Sequence, residues 1–192
     1  MILVSLNPFV LRRIFIVILA LIGLSCATAY SEPILISVKS TPYDRQMTRI
    51  RPILTADSHA QHGQVSLRLV NQWVGSLRSI PYGYTMEWKT PEETESGAPA
   101  DCKAKAVALY ERMKENGATD VRLVIGKRST TSRSTHAWLE WNCEGTNYVL
   151  DPTINWMAYR SSDLGSRAYV PYYAFAGQRK YRATSPTLVA QN

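Results

Sequence analysis

Apolar residues follow a helical spacing in two stretches of the chain. From 64 to 80 they recur every four positions, at Val65, Leu69, Trp73 and Leu77. That spacing predicts an amphipathic helix with one face in a core. A second helix is predicted from Cys102 to Gly117, because Asp101 is a suitable N-cap and Gly117 a suitable C-cap. Thr90 begins a capping-box sequence, which predicts a short helix there.

The spacing changes from helical to alternating after residue 120. Alternating apolar and polar residues predict three strands, at 121–126, 136–142 and 148–151. Glu144 and Gly145 form the predicted turn between the last two, and a short strand is expected at 34–38. Helices followed by an antiparallel meander predict an α+β domain. The aromatic-rich segment 154–182 is expected to add strands or loops around the sheet.

The two-residue turn sets the register of the second predicted hairpin. It pairs Asn142 with Asn147 and therefore Trp138 with Asp151. His136 then lies diagonal to Asp151 on the same face of the sheet, within reach of its carboxylate. Trp138 shares that face, and the alternate side chains of both strands are expected to build the core.

Composition and charge exclude several classes of protein. The chain has 192 residues, of which 45% are hydrophobic and 19% charged, as in a globular domain. The net charge is +7, but the basic residues form no long run and no binding motif, so a solvated basic surface is favoured over nucleic-acid binding. His59 and His62 have no third ligand nearby, so no metal site is predicted.

The first 29 residues are typical of a secretory signal peptide. Arg12 and Arg13 precede an apolar run at 14–24, and small residues follow up to Ala29. A membrane-spanning helix needs about 20 apolar residues, so the run favours cleavage near Ala29 and a periplasmic or secreted protein. Two alternatives remain open, which are a lipid-modified Cys26 and an uncleaved anchor through which the chain would contact the membrane.

The rest of the chain divides into three segments. Residues 30–63 are polar and irregular, residues 64–182 form the folded domain, and residues 183–192 are expected to be a flexible tail. Cys102 and Cys143 remain after cleavage, and an oxidising compartment permits a disulfide between them.

Three residues of the domain fit nucleophilic catalysis. A cysteine nucleophile needs thiolate character, a nearby base and a group that orients the base. Cys102 lies at a predicted helix N-terminus, where unpaired amides favour the thiolate. His136 opens one strand and Asp151 closes the next. Each residue alone is more often structural, but the three together predict a Cys–His–Asp site.

Six segments of the chain resemble the bacterial transglutaminase-like cysteine proteinases, a family of the papain-related superfamily. They are 70–74 (VNQWV), 87–94 (EWKTPEET), 100–110 (ADCKAKAVALY), 122–126 (RLVIG), 136–141 (HAWLEW) and 148–153 (YVLDPT). The resemblance implies a transglutaminase-like (papain-like) α+β fold, with helices packed on an antiparallel sheet and the nucleophilic cysteine at a helix N-terminus. Residues 64–182 would then be the catalytic domain.

The resemblance also implies site roles and chemistry. It implies a catalytic triad of Cys102, His136 and Asp151, and acyl transfer from a protein or peptide substrate through a thioester. The backbone N–H of Cys102 is a candidate oxyanion donor. Trp88 and Trp138 are candidate residues of the oxyanion site or of the wall beside it.

The chain departs from the family beside the cysteine. Members that act on large surface adhesins read D-C-E-D there and bind calcium through those acids. This chain has Lys103 and Ala104 after Cys102, so we expect neither a calcium cofactor nor an adhesin substrate to carry over. Lys103 is expected instead to add positive charge near the thiolate.

A disulfide and a catalytic site exclude each other in this hairpin. Cys143 lies seven residues beyond His136 on the other face of the strand, about 24 Å away at 3.4 Å per residue. Disulfide partners need Cα atoms within about 7 Å. A Cys102 that meets His136 therefore cannot also bridge Cys143.

The predicted function is a secreted or periplasmic cysteine peptidase that hydrolyses peptide or isopeptide bonds. The same triad also serves an amine-accepting transamidase or a hydrolase of cell-wall peptides, and the sequence does not separate these. The non-enzymatic alternative is a catalytically inactive transglutaminase-like module that binds proteins. The oligomeric state is left open.

Overall fold

The computed structural model of the chain describes residues 33–56, 65–165 and 167–184. Its helices are α1 (Arg51–Thr55), α2 (Leu67–Ser79), α3 (Pro91–Glu95) and α4 (Cys102–Glu115). Its strands are β1 (Ile34–Ser37), β2 (Val121–Ser129), β3 (His136–Cys143), β4 (Thr146–Leu150), β5 (Tyr159–Arg160), β6 (Ala168–Ala176) and β7 (Arg179–Thr184). Short 3₁₀ turns lie at Thr48–Ile50 and Ser161–Asp163. The predicted signal peptide and the pair His59 and His62 lie outside the described residues.

The strands form one seven-stranded sheet in the order β1-β7-β6-β2-β3-β4-β5, and each neighbouring pair is antiparallel. The predicted meander is therefore confirmed as β2, β3 and β4. The aromatic-rich segment supplies β5, β6 and most of β7. Helices packed on an antiparallel sheet make an α+β fold, as the sequence predicts.

Alternation along the strands divides the core between the two faces of the sheet. Leu123, Ile125 and Leu139 point into the larger hydrophobic cluster, which also contains the buried side chains of α4. Val124 and Trp138 point into a smaller cluster on the opposite face. Because side chains in a strand alternate, the predicted register places each residue on its correct face.

Helix α4 lies in the interior of the domain. Eight of its residues are buried, including a run of seven in succession, and they surround most of the helix axis: Ala104, Lys105, Ala106, Val107, Ala108, Leu109, Tyr110 and Met113. The single stripe expected from the sequence is thus only part of the buried surface. In α2 the buried residues are Val70, Val74 and Leu77, whereas Leu69 and Trp73 are partly exposed.

Two boundaries differ from the sequence expectation. The segment 30–63 was expected to be irregular apart from a short strand, but it also forms α1, with Ile50 and Leu54 buried in the larger cluster. A five-residue helix is too short to show a hydrophobic period. Residues 183 and 184 were expected to belong to a tail, but β7 continues to Thr184, which pairs with Ile34 of β1.

Within the described residues, no helix has the length and apolar character needed to cross a membrane.

Candidate active site

Cys102 is the first residue of α4, as the sequence predicts. Asp101 has an extended backbone, and its Oδ1 accepts a hydrogen bond from the Ala104 N–H at 3.1 Å, which makes it the N-cap. The side chain of Cys102 is half-buried at the edge of the larger hydrophobic cluster. The partial positive charge of the helix N-terminus therefore acts on a thiol that still has access to solvent.

His136 lies between Asp151 and Cys102. The structure pairs Asn142 with Asn147, the register predicted from the two-residue turn. His136 Nε2 is 2.7 Å from Asp151 Oδ2, and the imidazole also shares a side-chain hydrogen bond with Cys102. Because Asp151 occupies Nε2, the other ring nitrogen, Nδ1, is the one left for the thiol. The structure thus brings the three predicted residues together.

Three neighbours orient the carboxylate of Asp151, which is fully buried. Its Oδ1 accepts the Thr153 N–H at 3.0 Å, and its Oδ2 accepts the Tyr169 hydroxyl at 3.0 Å as well as bonding to His136. Asn155 Nδ2 in turn donates to the Tyr169 hydroxyl at 3.1 Å. The hydrogen bonds satisfy both oxygens, so the carboxylate has one well-determined orientation.

The charges at the site favour a protonated imidazole. Burial lowers the pKa of His136, but its hydrogen bonds to Asp151 and Cys102 and their negative charges outweigh burial and raise the pKa to about 9. At neutral pH the ring is therefore an imidazolium. Burial and the charge of Asp151 raise the pKa of Tyr169, so its hydroxyl stays a proton donor.

The two candidate tryptophans lie in different places. Trp138 is fully buried, and its ring stacks on His136 with the ring centres 6.2 Å apart at 20°. It also meets the ring of Tyr169 edge to face at 5.4 Å. Trp88 is 3% exposed within the larger hydrophobic cluster and is not among the residues that line the cleft beside Cys102. Trp138 supports the imidazole, and Trp88 packs in the core.

Gly126 leaves space for the ring of Trp138. It is directly opposite His136, and the pairing of β2 with β6 shifts register between Ile125 and Gly126. A Cβ atom at this position would lie 2.1 Å from the Val170 carbonyl oxygen and 2.8 Å from Trp138 Cη2. Only a glycine lets β2 approach β6 this closely.

Cys102 and His136 open into a cleft of about 390 Å³. Its other lining residues come from α2 and the loop after it, from the end of β2, from the β2–β3 connection and from the turn after Asp151: Arg78, Tyr82, Arg128, Ser132, Ser134, Thr135, Thr153 and Ile154. Burial and the neighbouring charges of Cys102 and Asp101 raise the pKa of Tyr82. The thiol is therefore accessible from a polar groove.

Sequence reasoning missed two residues near the site. Tyr169 was only one aromatic residue in the segment 154–182, and no spacing connected it with Asp151. Lys105 is buried one turn after Cys102, where its ammonium donates to the Ile80 carbonyl oxygen. Burial, reinforced by Arg78 and opposed by Asp151, lowers the pKa of Lys105.

Both Cys102 and Cys143 are free thiols. Cys143 pairs with Thr146 at the far end of β3, seven residues from His136. This agrees with the prediction that a Cys102 in contact with His136 does not bridge Cys143.

Comparisons with known proteins give a structural similarity. No family model matches the sequence, and no curated protein sequence matches it. Three solved structures of Legionella pneumophila LapG are similar. Calcium-bound LapG has a TM-score of 0.52 and 17% identity, with 71% of this chain and 76% of LapG covered. EGTA-treated LapG has a TM-score of 0.52 and 18% identity, with 71% and 74% covered. A third LapG structure has a TM-score of 0.50 and 18% identity, with 74% and 78% covered.

The chain has a transglutaminase-like fold.

This similarity confirms the expected fold class, with the helix-borne cysteine and the antiparallel sheet in one domain. Of the similar LapG structures, one is calcium-bound and another is EGTA-treated. Among the described residues of this chain, no group of three or more His, Cys, Asp or Glu side chains is arranged to hold a metal ion.

Proposed function

We propose that the chain is a secreted or periplasmic cysteine peptidase that hydrolyses peptide or isopeptide bonds. Cys102 is the nucleophile, His136 the general base and acid, and Asp151 the group that orients the imidazole. The observation that carries the proposal is the position of His136, which bonds to Asp151 Oδ2 at 2.7 Å and to Cys102 at a helix N-terminus.

The structural similarity supports the same class of activity. LapG is a bacterial transglutaminase-like cysteine protease. Shared fold alone does not establish an activity, because one fold hosts many functions. Here the fold also carries a thiol, an imidazole and a buried carboxylate, joined by hydrogen bonds in that order. This is the arrangement that thiol-based acyl transfer needs.

The first half of the reaction forms a thioester. The raised pKa of His136 keeps the imidazole protonated at neutral pH, so it can hold the Cys102 sulfur as the thiolate that attacks. The thiolate sulfur attacks the carbonyl carbon of the scissile bond. His136 gives its proton to the leaving nitrogen, the C–N bond breaks, and the acyl group remains on Cys102.

The second half returns the enzyme to its starting state. Neutral His136 accepts a proton from water, whose oxygen attacks the thioester carbonyl. The C–S bond breaks and the acid product leaves. In both halves the oxyanion needs a donor, and the backbone N–H of Cys102, in the unpaired first turn of α4, is suited to it.

The proposed location rests on the N-terminal sequence. The basic residues, the apolar run and the small residues up to Ala29 favour export and cleavage, as expected for a secretory protein. Two free cysteines in an exported chain are consistent with a thiol kept for chemistry.

The test is alkylation of the native protein with iodoacetamide across pH, followed by peptide mapping. We expect Cys102 to react fast at pH 6, and to lose this reactivity in His136→Ala, while Cys143 reacts slowly in both. Cleavage of a peptide library is then compared between the wild type, Cys102→Ser and the control Cys143→Ser. Only Cys102→Ser should abolish cleavage.

Other results identify the alternatives. Incorporation of a dansylated amine into the acyl product would indicate a transamidase. Slow labelling of Cys102 at pH 6 and no cleavage by a folded protein would refute the peptidase and leave the protein-binding module.

A further inference from the structure

A buried carboxylate lies immediately before Cys102 and is completely engaged. Asp101 is 1% exposed. Its Oδ1 caps α4, and its Oδ2 accepts the Thr85 N–H at 3.2 Å and also contacts the ammonium of Lys103. The carboxylate therefore connects the start of α4 to the loop between α2 and α3.

The ammonium of Lys103 is held by three groups. It donates to Asp101 Oδ2 and to the Thr85 carbonyl oxygen, and it lies 5.1 Å from the centre of the Tyr84 ring. The side chain of Lys103 is only 14% exposed. A carboxylate, a carbonyl oxygen and an aromatic face are all groups that attract a cation.

The residues around this ammonium do not fit a calcium ion. Calcium takes about six to eight oxygen ligands, among them several carboxylates. Among the described residues, Asp101 is the carboxylate that pairs with Lys103, and Lys103 already lies between it and the Thr85 carbonyl oxygen. A second cation at the same oxygens would be repelled by the ammonium.

We propose that the ammonium of Lys103 is the resident cation of the site and takes the place of a divalent ion. It ties the Tyr84–Thr85 loop to the start of α4 and so keeps Cys102 in register with His136. The same loop carries Tyr82, which lines the cleft. Lys103 is thus a positioning residue, and the site is independent of calcium and of chelators. This rests on the proposed function only in treating Cys102 as the reactive thiol.

The test uses thermal unfolding and Cys102 alkylation, each in EGTA, in CaCl₂ and in MgCl₂ at equal ionic strength. The variants are Lys103→Met, Lys103→Glu and the charge-matched control Lys39→Glu, which changes an exposed lysine elsewhere. The wild type and the control should behave identically in all three buffers.

The Lys103 variants should differ from the wild type in a defined way. Lys103→Met should slow alkylation of Cys102 about tenfold, since a charged hydrogen bond to a buried carboxylate is lost. Its Tm should fall by about 5 °C, with no response to calcium. Lys103→Glu puts a second carboxylate beside Asp101, so its Tm should be low in EGTA and recover in CaCl₂ but not in MgCl₂.

Three results would overturn the proposal. They are a calcium response of the wild type, an alkylation rate in Lys103→Met equal to the wild type, and a fall in Tm of that variant without slower alkylation. If Lys103→Glu does not fold, the wild type and Lys103→Met still decide. Absence of peptide cleavage would count against the proposed function. The response of the Tm to calcium would still test the role of Lys103, because it does not depend on peptide cleavage.

A second and independent observation concerns the charge of the cleft. Arg78 and Arg128 both line it, and none of its lining residues is an acid. The guanidinium of Arg78 is held over the ring of Trp156 at 5.1 Å, and its Nε donates to the Ile154 carbonyl oxygen at 3.2 Å. Among the ion pairs of the described residues, none includes Arg78 or Arg128.

The geometry points to a substrate with a carboxylate next to the scissile bond. Two guanidinium groups and hydroxyl side chains from the β2–β3 connection make a groove that attracts anions. The carboxylate would come from an acidic side chain or from the C-terminus of a peptide. This inference rests on the proposed function, since it names the substrate class of the same cleft.

The test compares two alkylating reagents of similar size, anionic iodoacetate and neutral iodoacetamide. The ratio of their rates at Cys102, relative to free N-acetylcysteine, measures the local potential without any peptide substrate. We expect a ratio about tenfold above N-acetylcysteine at low salt. Arg128→Gln should reduce it severalfold, and Arg133→Gln, a control in the adjoining β2–β3 connection that is not among the lining residues, should leave it unchanged.

Peptides then distinguish the two sources of the carboxylate. Preference for Glu over Gln beside the scissile bond, in peptides with amidated C-termini, would indicate a side chain. Preference for a free over an amidated C-terminus would indicate the terminal carboxylate. A ratio equal to that of N-acetylcysteine, or unchanged in Arg128→Gln, would refute the inference even if peptides are cleaved.

Discussion

Asp151→Asn removes a buried negative charge from the site while keeping the size of the side chain. In the wild type, Asp151 Oδ2 lies 2.7 Å from His136 Nε2 and accepts the Tyr169 hydroxyl at 3.0 Å. An amide oxygen still accepts one of these hydrogen bonds. It no longer supplies the charge that stabilises an imidazolium, so the variant isolates the electrostatic role of Asp151.

The structure sets the magnitude of the effect. Burial by itself lowers the pKa of His136 below the usual 6.5, and Asp151 is the first of the groups that raise it to about 9. Each pKa unit corresponds to about 1.4 kcal/mol, so losing the whole increase amounts to about 3 kcal/mol. Cys102 supplies part of this increase, so at pH 7 the protonated fraction of His136 should fall part of the way in Asp151→Asn. It should fall from nearly all to about a quarter or less when Cys102→Ala is combined with it.

The assay is an NMR titration of the imidazole signals from pH 5 to 10. The chain has three histidines, and His136→Gln assigns the signal of interest by its disappearance. Cys102 contributes to the pKa of His136 through a hydrogen bond and its charge. The titration is therefore repeated in Cys102→Ala, where the remaining increase belongs to Asp151.

A clear result would refute the reasoning. If His136 of Asp151→Asn still titrates near 9, the carboxylate is not what holds the proton, and the roles assigned to Asp151 and Cys102 are wrong. A pKa of His136 well below 9 in Asp151→Asn, and below 6.5 when Cys102→Ala is added, would support them.

Four further predictions follow from the same contacts. Peptidase activity should fall as pH rises through about 9 in a pH–rate profile, because His136 then has no proton for the leaving amine. The pKa of His136 is raised above the unfolded value of 6.5, so the contribution of His136 to stability is complete below pH 6.5 and disappears towards pH 9. The free energies of unfolding of the wild type and His136→Gln, measured with denaturant, should therefore converge over this range. Tyr169→Phe removes a donor to Asp151 and should lower kcat/KM about tenfold with little change in KM. Gly126→Ala should lower the free energy of unfolding by about 2 kcal/mol or more because of its backbone contacts, whereas Gly165→Ala, with nothing within 4 Å, should be neutral.

The sequence predicted the parts of the site that depend on local order. Asp101 caps a helix because its side chain reaches an amide three residues ahead, and that relation is visible in the chain itself. The register of β3 and β4 follows from a two-residue turn, and with it the diagonal placement of His136 and Asp151. These contacts span at most fifteen residues.

Other contacts were invisible because they join distant segments. Tyr169 reaches Asp151 only because β6 pairs with β2 on the far side of the hairpin. Trp88 and Trp138 are both candidate site residues in the sequence, yet one packs in the core and the other supports the imidazole. A hydrophobic pattern predicts that a side chain is buried, but it does not predict which residues the side chain packs against.

The order of residues along the chain is enough to predict the class of fold, the start of the helix that carries Cys102 and the hairpin that carries His136 and Asp151. This is possible because helix caps, turns and the alternation of strand side chains each depend on residues only a few positions apart in the sequence. Two features depend on how distant segments pack: Lys103 bridges Asp101 and the loop that carries Thr85, and two arginines line the same cleft. Those side chains meet because a helix and a sheet bury their apolar faces against each other. That packing fixes the positions of the charged side chains near the cleft.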